Sequence, residues 1–337
     1  MAIKSLIFNR IQRWQEEQPS ELKLNDSTSV VTADHEVLFS QLKKLFQFKA
    51  GKFHGHFDDD IGNAPLQSWL AEHLDGKIPF ERLSQLYSEK LKDLVDKTSE
   101  TFDAYIMCVL EDRADGPRVY IFMLETSSGL QIDNALSLDT IDHLNLSKLD
   151  LAVRVELDDW HNTEGNPPYL CMVKGRNKAK IGEAFSQSVG FKNSVDTAKE
   201  TETLMDILAN YTKQNEPKEA AQIKQKAYDF CVEQQQLGEA VPLNELSGYL
   251  NENEPTHFSQ YAEEKAQIPA EKSLRPDTRK LKHLVRISGK GNGLSLSFSS
   301  DLMQQTILFD EDNDTLTITS IPKSLKKQIL EHLKDKD

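Results

Sequence analysis

The chain has 337 residues, of which 38% are hydrophobic and 28% are charged, and its formal net charge is -14. This composition is that of an ordinary globular protein long enough for about two domains, and it excludes a disordered chain. The negative charge also excludes a histone-like protein that coats nucleic acid through bulk positive charge, so any binding of a polyanion must be local.

The first hundred residues predict two short strands followed by two amphipathic helices. Residues 3–12 and 21–31 contain apolar residues in an extended pattern and are separated by a turn. Apolar residues then recur at helical spacing over residues 37–48, and again over residues 80–95 after Pro79. Both helices therefore have one face suited to packing on a sheet.

The segment between these helices, residues 53–60, reads FHGHFDDD and brings imidazoles and carboxylates together. Its spacing fits no standard metal motif, and Gly55 and Gly62 favour a solvated loop. We predict a loop without a bound metal. The alternative is a metal-dependent nuclease or phosphatase that uses His54, His56 and the following aspartates.

The centre of the chain predicts an antiparallel sheet. Residues 102–110 and 119–125 are apolar runs separated by a turn and form a hairpin, and residues 169–173 form a further short strand. Between them, apolar and polar residues alternate strictly over residues 149–157, which is typical of a strand with one buried face. The predicted fold class is α+β, with this sheet covered by the two earlier helices.

A basic cluster follows the last of these strands, at the start of a predicted helix that ends near Gly190. Cations at a helix N-terminus are unfavourable by roughly 0.3–1 kcal/mol, so structure alone does not explain them. A bound anion would reverse the sign of this term, because helix N-terminal amides and basic side chains together bind phosphate. The cluster is either a phosphate site or a solvated basic face, and its members are Lys174, Arg176, Lys178 and Lys180.

Residues 193–337 are predicted as a second domain, after an α+β domain over residues 1–192. Helical spacing dominates up to residue 265, and the pair at 243–250 and 256–265 has the outline of a helix-turn-helix. The second helix of that pair carries two glutamates and one lysine, so we interpret it as packing and not as DNA recognition. Two β-hairpin patterns and a terminal helix complete the domain.

A second basic segment lies within this domain. Residues 272–290 contain seven Lys or Arg residues and one acid, whereas residues 100–165 are strongly acidic. The glycine-rich run at 289–293 is not a P-loop and is either a phosphate-contacting loop or a flexible turn. The acidic run at 310–314 is predicted as a hairpin turn. The candidate phosphate contacts in this segment are Arg279, Lys280, Lys282, Arg286 and Lys290.

The cysteines and the lack of long apolar segments indicate the cellular compartment. The three cysteines are isolated, with no C-x-x-C pair, which is typical of buried thiols in a reducing cytosol. The sequence contains neither an apolar run long enough for a membrane span nor a signal-peptide core. We expect a cytoplasmic protein that does not contact membranes.

Several motifs along the chain resemble those of the nucleoid-associated protein family of the NdpA type. They are RVELDDW, YLCMVKGR and KIGEAF in the first half, and GKGNGLSLSF, ILFDEDNDTLTI and the closing helix in the second. The resemblance runs along essentially the whole chain in order. It implies a protein of the cytoplasm and nucleoid that binds DNA as a homodimer, with no enzymatic activity.

The residues and the resemblance together predict a non-enzymatic DNA-binding protein of low sequence specificity. Its two basic segments would contact phosphates, with no cofactor, no metal and no catalytic residue. Binding of RNA is left open, as is contact with other nucleoid proteins. The alternatives are a protein-interaction scaffold that reaches DNA only indirectly, and the nuclease or phosphatase described above.

Overall fold

The computed structural model describes residues 2–49, 51–162, 167–175, 179–303 and 305–334. The chain divides into two units, residues 1–197 and 198–337. A strand over Phe191–Asn193 crosses the domain boundary predicted after residue 192, and that boundary stays a proposal.

An eight-stranded antiparallel sheet organises the first unit, in the order β10-β3-β9-β8-β5-β4-β1-β2. A separate hairpin, β6–β7, leaves the sheet between β5 and β8. The strands are β1 (Ala2–Arg13), β2 (Glu21–Lys23), β3 (Phe53–Phe57), β4 (Phe102–Asp112), β5 (Arg118–Leu124), β6 (Thr126–Ile132), β7 (Leu138–Leu144), β8 (Leu151–Glu156), β9 (Leu170–Lys174) and β10 (Phe191–Asn193).

Helices cover both faces of this sheet. Helix α1 packs Phe39, Leu42 and Phe46 against one face, and α2, α3 and α5 pack their apolar residues against the other. This arrangement confirms the α+β class. The helices are α1 (Ala33–Phe48), α2 (Pro65–Leu74), α3 (Phe80–Val95), α4 (Leu157–His161) and α5 (Ala179–Val189).

Because helices cover both faces of the sheet, the prediction that β8 has only one buried face was wrong. The alternation of apolar and polar residues suggested one solvent-exposed face, yet Arg154 is 4% exposed. Arg154 and Arg118 both form ion pairs with Glu156, which lets charged side chains lie under the α1 side of the sheet. Alternation therefore identified the strand but not the solvation of its second face.

The predicted loop at residues 53–60 was also wrong in its first half, because residues 53–57 form strand β3 between β9 and β10. Position 55 requires glycine because the backbone of β10 lies too close for a side chain. A Cβ at this position would lie 2.0 Å from the Lys192 carbonyl oxygen. The glycine thus marks a close backbone approach within a sheet and not a turn.

The second unit has a helical core, as predicted. Apolar residues of α6 to α9, such as Leu208, Phe230 and Phe258, pack together with Leu274 and Leu281. Its elements are α6 (Thr197–Tyr211), α7 (Pro217–Leu237), β11 (Val241–Pro242), α8 (Leu243–Leu250), α9 (His257–Ala266), β12 (Ser273–Leu274) and α10 (Thr278–Leu281).

Two hairpins and a helix follow this core, and Ile307 is the one buried residue in residues 286–303 and 305–334. No helix of the described residues is both long and apolar enough to cross a membrane. The elements are β13 (Arg286–Gly291), β14 (Leu294–Ser299), β15 (Ile307–Asp310), β16 (Thr315–Ile318) and α11 (Lys323–Lys334).

Candidate nucleic-acid interface

The first basic cluster lies where β9 leads into α5, and the structure describes two of its four members. Lys174, at the end of β9, extends over Gly182, where an added Cβ would lie 3.0 Å from the Lys174 Cγ. Its Nζ pairs with Glu183 Oε1 at 2.5 Å. The charge of Lys174 is therefore already matched by the carboxylate of Glu183 on α5.

Lys180 lies in the first turn of α5 and is exposed. Its Nζ donates a hydrogen bond to Ser99 Oγ at 2.6 Å, and it forms no ion pair with a described carboxylate. Arg176 and Lys178 lie outside the described residues. The described part of this cluster thus presents one charge that a phosphate could contact.

The second basic segment is held onto the second unit by its backbone. The amide of Arg275 donates to Glu200 Oε2 at 2.7 Å, and the amide of Asp277 donates to Thr201 Oγ1 at 2.9 Å. Leu281 is fully buried in the helical core. These contacts fix the segment on α6 and leave its long basic side chains at the surface.

Arg279 has a close carboxylate partner within this segment, Asp277. Its guanidinium donates to Asp277 at 3.0 Å, and this hydrogen bond raises the pKa of Arg279. Burial raises the pKa of Asp277, but the hydrogen bonds and charge of Arg279 outweigh it and hold that pKa below the ordinary value. Lys280 and Lys282 are exposed and form no such ion pair with a carboxylate in the part of the chain that the structure describes.

Hairpin β13–β14 carries the remaining two cations on one face. Arg286 pairs across the hairpin with Ser299, Ser288 with Ser297, and Lys290 with Ser295. Because side chains alternate along a strand, all six point to the same side. Arg286 Nη2 donates to Ser297 Oγ at 3.0 Å, which holds the guanidinium on this face. The face combines two cations with four hydroxyls and carries no carboxylate.

The glycine-rich run belongs to this hairpin. Gly289 and Gly291 pair with Leu296 and Leu294, and the turn is made by Asn292 and Gly293, both with positive φ. A two-residue Asn-Gly turn of this kind suits the twist of an antiparallel hairpin. Of the two interpretations, the structure supports the turn. Sequence reasoning missed the serines, although the alternation of Ser295, Ser297 and Ser299 with leucine and phenylalanine was visible.

The residues of the nuclease alternative are not assembled for metal binding. His54 is 8% exposed with its Nε2 4.0 Å from Cys171 Sγ, and His56 Nε2 is 3.1 Å from the Pro167 carbonyl oxygen. Within the described ranges, no group of three or more His, Cys, Asp or Glu side chains could hold a metal ion. The acidic run at 310–314 forms the predicted hairpin turn between β15 and β16.

The cysteines are buried thiols, as their isolation predicted. Burial raises the pKa of both the Cys108 and the Cys231 thiols to about 12. Such thiols are poor nucleophiles and poor metal ligands at neutral pH.

Comparison with known proteins gives a consistent result along the chain. The family model described as nucleoid-associated protein YejK matches residues 9–326. A nucleoid-associated protein of Azotobacter vinelandii is 28% identical over 331 residues, which cover 98% of each chain. One from Pseudomonas savastanoi pv. phaseolicola is 30% identical over 336 residues, covering 98% of this chain and 99% of the relative.

Proposed function

The chain belongs to the nucleoid-associated protein YejK family, and from this premise we propose that it binds DNA through phosphate contacts made by its second basic segment. Membership confirms the predicted resemblance and the predicted association with the nucleoid. We propose further that the protein has no enzymatic activity and works as a homodimer.

The observation that carries this proposal is the polar face of hairpin β13–β14 together with the neighbouring lysines. Arg286 and Lys290 lie on that face together with serine hydroxyls, and the face carries no carboxylate. Lys280 and Lys282 precede the hairpin in the sequence, and both are exposed. Lysine, arginine and serine side chains are the usual donors to DNA phosphate oxygens. In an otherwise acidic chain, a surface of this composition favours a polyanion.

Low sequence specificity follows from this mode of contact. Phosphate contacts fix the position of a protein on DNA but carry no direct information about the bases. The residues of the proposed surface lie on a short hairpin, a four-residue helix and the 3-10 turn that follows this helix, and their charges suit the backbone of the nucleic acid. We therefore propose binding that depends more on salt than on sequence.

The first cluster has a smaller role in this proposal. Lys180 is exposed and adds one phosphate contact, with Arg176 and Lys178 beside it in the sequence. Lys174 contributes least, because Glu183 already neutralises it. We propose that this cluster makes a separate and weaker phosphate contact.

The salt dependence of binding tests the assignment. If Lys280, Lys282, Arg286 and Lys290 neutralise four phosphates, log K against log salt has a slope near about −3.6 for duplex DNA. The K282Q/K290Q variant should reduce the magnitude of the slope by about 1.8. The control is K77Q, which removes an exposed lysine paired with Asp75 in the first unit and should leave the slope unchanged.

An unchanged slope in K282Q/K290Q would remove the second segment from the interface. A purified protein that binds no DNA at low salt would instead favour the scaffold alternative, in which DNA contact is indirect. Running the titration with duplex and single-stranded DNA and with RNA of equal length identifies the preferred nucleic acid.

A further inference from the structure

Hairpin β6–β7, which we call the arm (residues 126–144), has no buried residue. Its two strands pair from Thr126 opposite Leu144 to Ile132 opposite Leu138. Leu130, Ile132 and Leu138 lie on one face by the alternation of the strands, and their exposed fractions are 72%, 70% and 69%. An isolated two-stranded hairpin with an uncovered apolar face is only marginally stable in water, so this face needs a partner.

A cleft continues the apolar face at the base of the arm. It has a volume of about 440 Å³ and lies between the arm and the first unit's sheet. Phe8 and Tyr105 line it from the sheet, and Leu144 and Asp142 line it from the arm. Arg10, Thr126 and His143 complete the lining of the cleft, and the Arg10 guanidinium is paired with Asp103.

Helix α11 is a second amphipathic element without a cover. Leu325, Ile329, Leu330 and Leu333 recur at helical spacing, and their exposed fractions are 43%, 44%, 49% and 56%. No residue of the helix is buried. A terminal helix that keeps a continuous apolar stripe in solvent is an element shaped for packing on another surface.

The two elements are complementary in charge. The arm contains the acids Asp133, Asp139 and Asp142 and neither lysine nor arginine. Helix α11 contains Lys323, Lys326, Lys327 and Lys334 against the single acid Glu331. Like charge opposes pairing of two arms or of two helices, whereas opposite charge favours an arm with a helix.

Their lengths also match. At about 1.5 Å per residue the twelve residues of α11 span about 18 Å, and at about 3.4 Å per residue the seven-residue strands of the arm span about 24 Å. A helix laid along the arm would therefore cover its apolar face from the tip to the cleft. Packing of a helix is one of the usual ways to stabilise an exposed hairpin.

We propose that α11 of one copy of this chain docks on the arm of a second copy, and that the second copy returns the same contact. Each surface is exposed within its own unit, and a second copy of the chain offers the element of complementary charge to each of them. When the second copy returns the contact, as proposed, the assembly closes at two chains with twofold symmetry. This inference rests on the proposed homodimer and names its surfaces.

Two apolar variants test the contact in the full-length protein. L130S/L138S alters the arm and L325S/I329S alters the helix, and both pairs are so exposed in the single chain that its folding should not change. Sedimentation equilibrium should show a dimer for the wild type and a dimer dissociation constant raised at least about 100-fold in each variant. The matched control is V30S, since Val30 is 85% exposed and lies outside both elements.

Charge exchange gives a stricter test. D139K/D142K makes the arm basic, and K323E/K326E makes the helix acidic while placing acids in a first turn that tolerates them. Each variant alone should be monomeric. In an equimolar mixture, both contacts between unlike chains join opposite charges, so native mass spectrometry should show the mixed dimer.

Three outcomes would overturn the inference. A wild type that stays monomeric at tens of micromolar overturns it together with the proposed homodimer. Dimers that persist in both apolar variants overturn it and leave the homodimer standing. A mixture that yields no mixed dimer overturns the pairing of arm with helix. DNA binding by each variant, measured in parallel, reports separately on the phosphate contacts.

Discussion

Hairpin β4–β5 lies at the centre of the first unit, whereas hairpin β13–β14 lies at the surface of the second. Ile121 and Phe122 on β5 are fully buried, each on a different face of the sheet. On β13–β14, Ile287 is 41% and Leu294 is 59% exposed. Both are regular antiparallel hairpins, so the hydrogen-bonded ladder alone does not determine whether a strand pair is covered.

The difference follows from what the two sequences place on each face. β5 is apolar along its whole length except at Arg118, as a strand buried on both faces requires. β14 alternates apolar residues with serine. Its serine face can therefore contact water or phosphate, independently of what packs on its apolar face. The first hairpin serves stability, and the second leaves a polar face available for binding.

The largest effect is expected from a core substitution in β5. I121A should lower the free energy of unfolding by about 2–5 kcal/mol, because it removes buried methyl groups and leaves a cavity. Urea denaturation followed by the fluorescence of Trp14, Trp69 and Trp160, which all lie in the first unit, measures this change. L294A in the exposed hairpin should change the unfolding free energy of the second unit by less than about 0.5 kcal/mol. This change is measured by circular dichroism, because the three tryptophans all lie in the first unit.

Two glycines with similar positive φ angles should differ in how much an alanine at their position destabilises the protein. Gly190 has φ +71, and a Cβ there would lie 2.3 Å from the Ala64 Cα, whereas Gly293 has φ +79 with nothing within 4 Å. G190A should cost about 3 kcal/mol, from strain and from backbone displacement. G293A should cost only the left-handed strain, about 1 kcal/mol, confined to the hairpin. Hydrogen exchange resolves the local loss from the global one, and equal costs would contradict the comparison.

A buried ion pair should matter more than an exposed one. Glu156 forms ion pairs with both Arg118 and Arg154, whose side chains are each 5% exposed. E156Q should destabilise the first unit by about 3 kcal/mol, because it removes a carboxylate that is paired with two buried guanidinium groups. E331Q breaks the exposed pair with Lys327 in α11 and should cost at most about 0.5 kcal/mol. Denaturant midpoints of the two variants check this, and a small loss in E156Q would contradict it.

Sequence reasoning predicted the helices and the central strands well, because their signals are local. The apolar spacing over residues 80–95 corresponds to α3, and the hairpin at 102–124 was recognised from its continuous apolar runs. Gly190 was placed correctly at the end of α5, where its positive φ requires glycine.

What sequence could not supply was the identity of neighbours far away in the chain. Arg154 reads as a solvent-facing residue until α1 is placed over it, and Gly55 reads as a turn until β10 is placed beside it. The same limit applies to the basic clusters. Spacing alone did not show that Glu183 neutralises Lys174 or that Ser297 holds Arg286.

Lowering the pH should also distinguish the covered first unit from the exposed hairpins of the second, through a smaller change in the free energy of unfolding. Burial raises the pKa of Asp96, but hydrogen bonds from Lys92 and Ser20 outweigh it and hold that pKa below the ordinary value. A depressed pKa contributes stability above the pKa of the unfolded chain and loses it as the pH falls through the folded pKa. D96N should therefore be less stable than the wild type by about 1 kcal/mol at pH 7, with the gap closing towards pH 3.

Asp310 provides the matched case in the exposed region. A hydrogen bond from the Asn313 side chain lowers its pKa too, yet this carboxylate is fully exposed in the turn between β15 and β16. Solvent screens such an interaction, so D310N should match the wild type at both pH values when unfolding is followed by circular dichroism. A gap for D96N that stays constant between pH 7 and pH 3 would show that Asp96 acts through packing and not through its charge. An acid-sensitive gap for D310N would show that the exposed hairpins contribute to stability in the way the buried strands do.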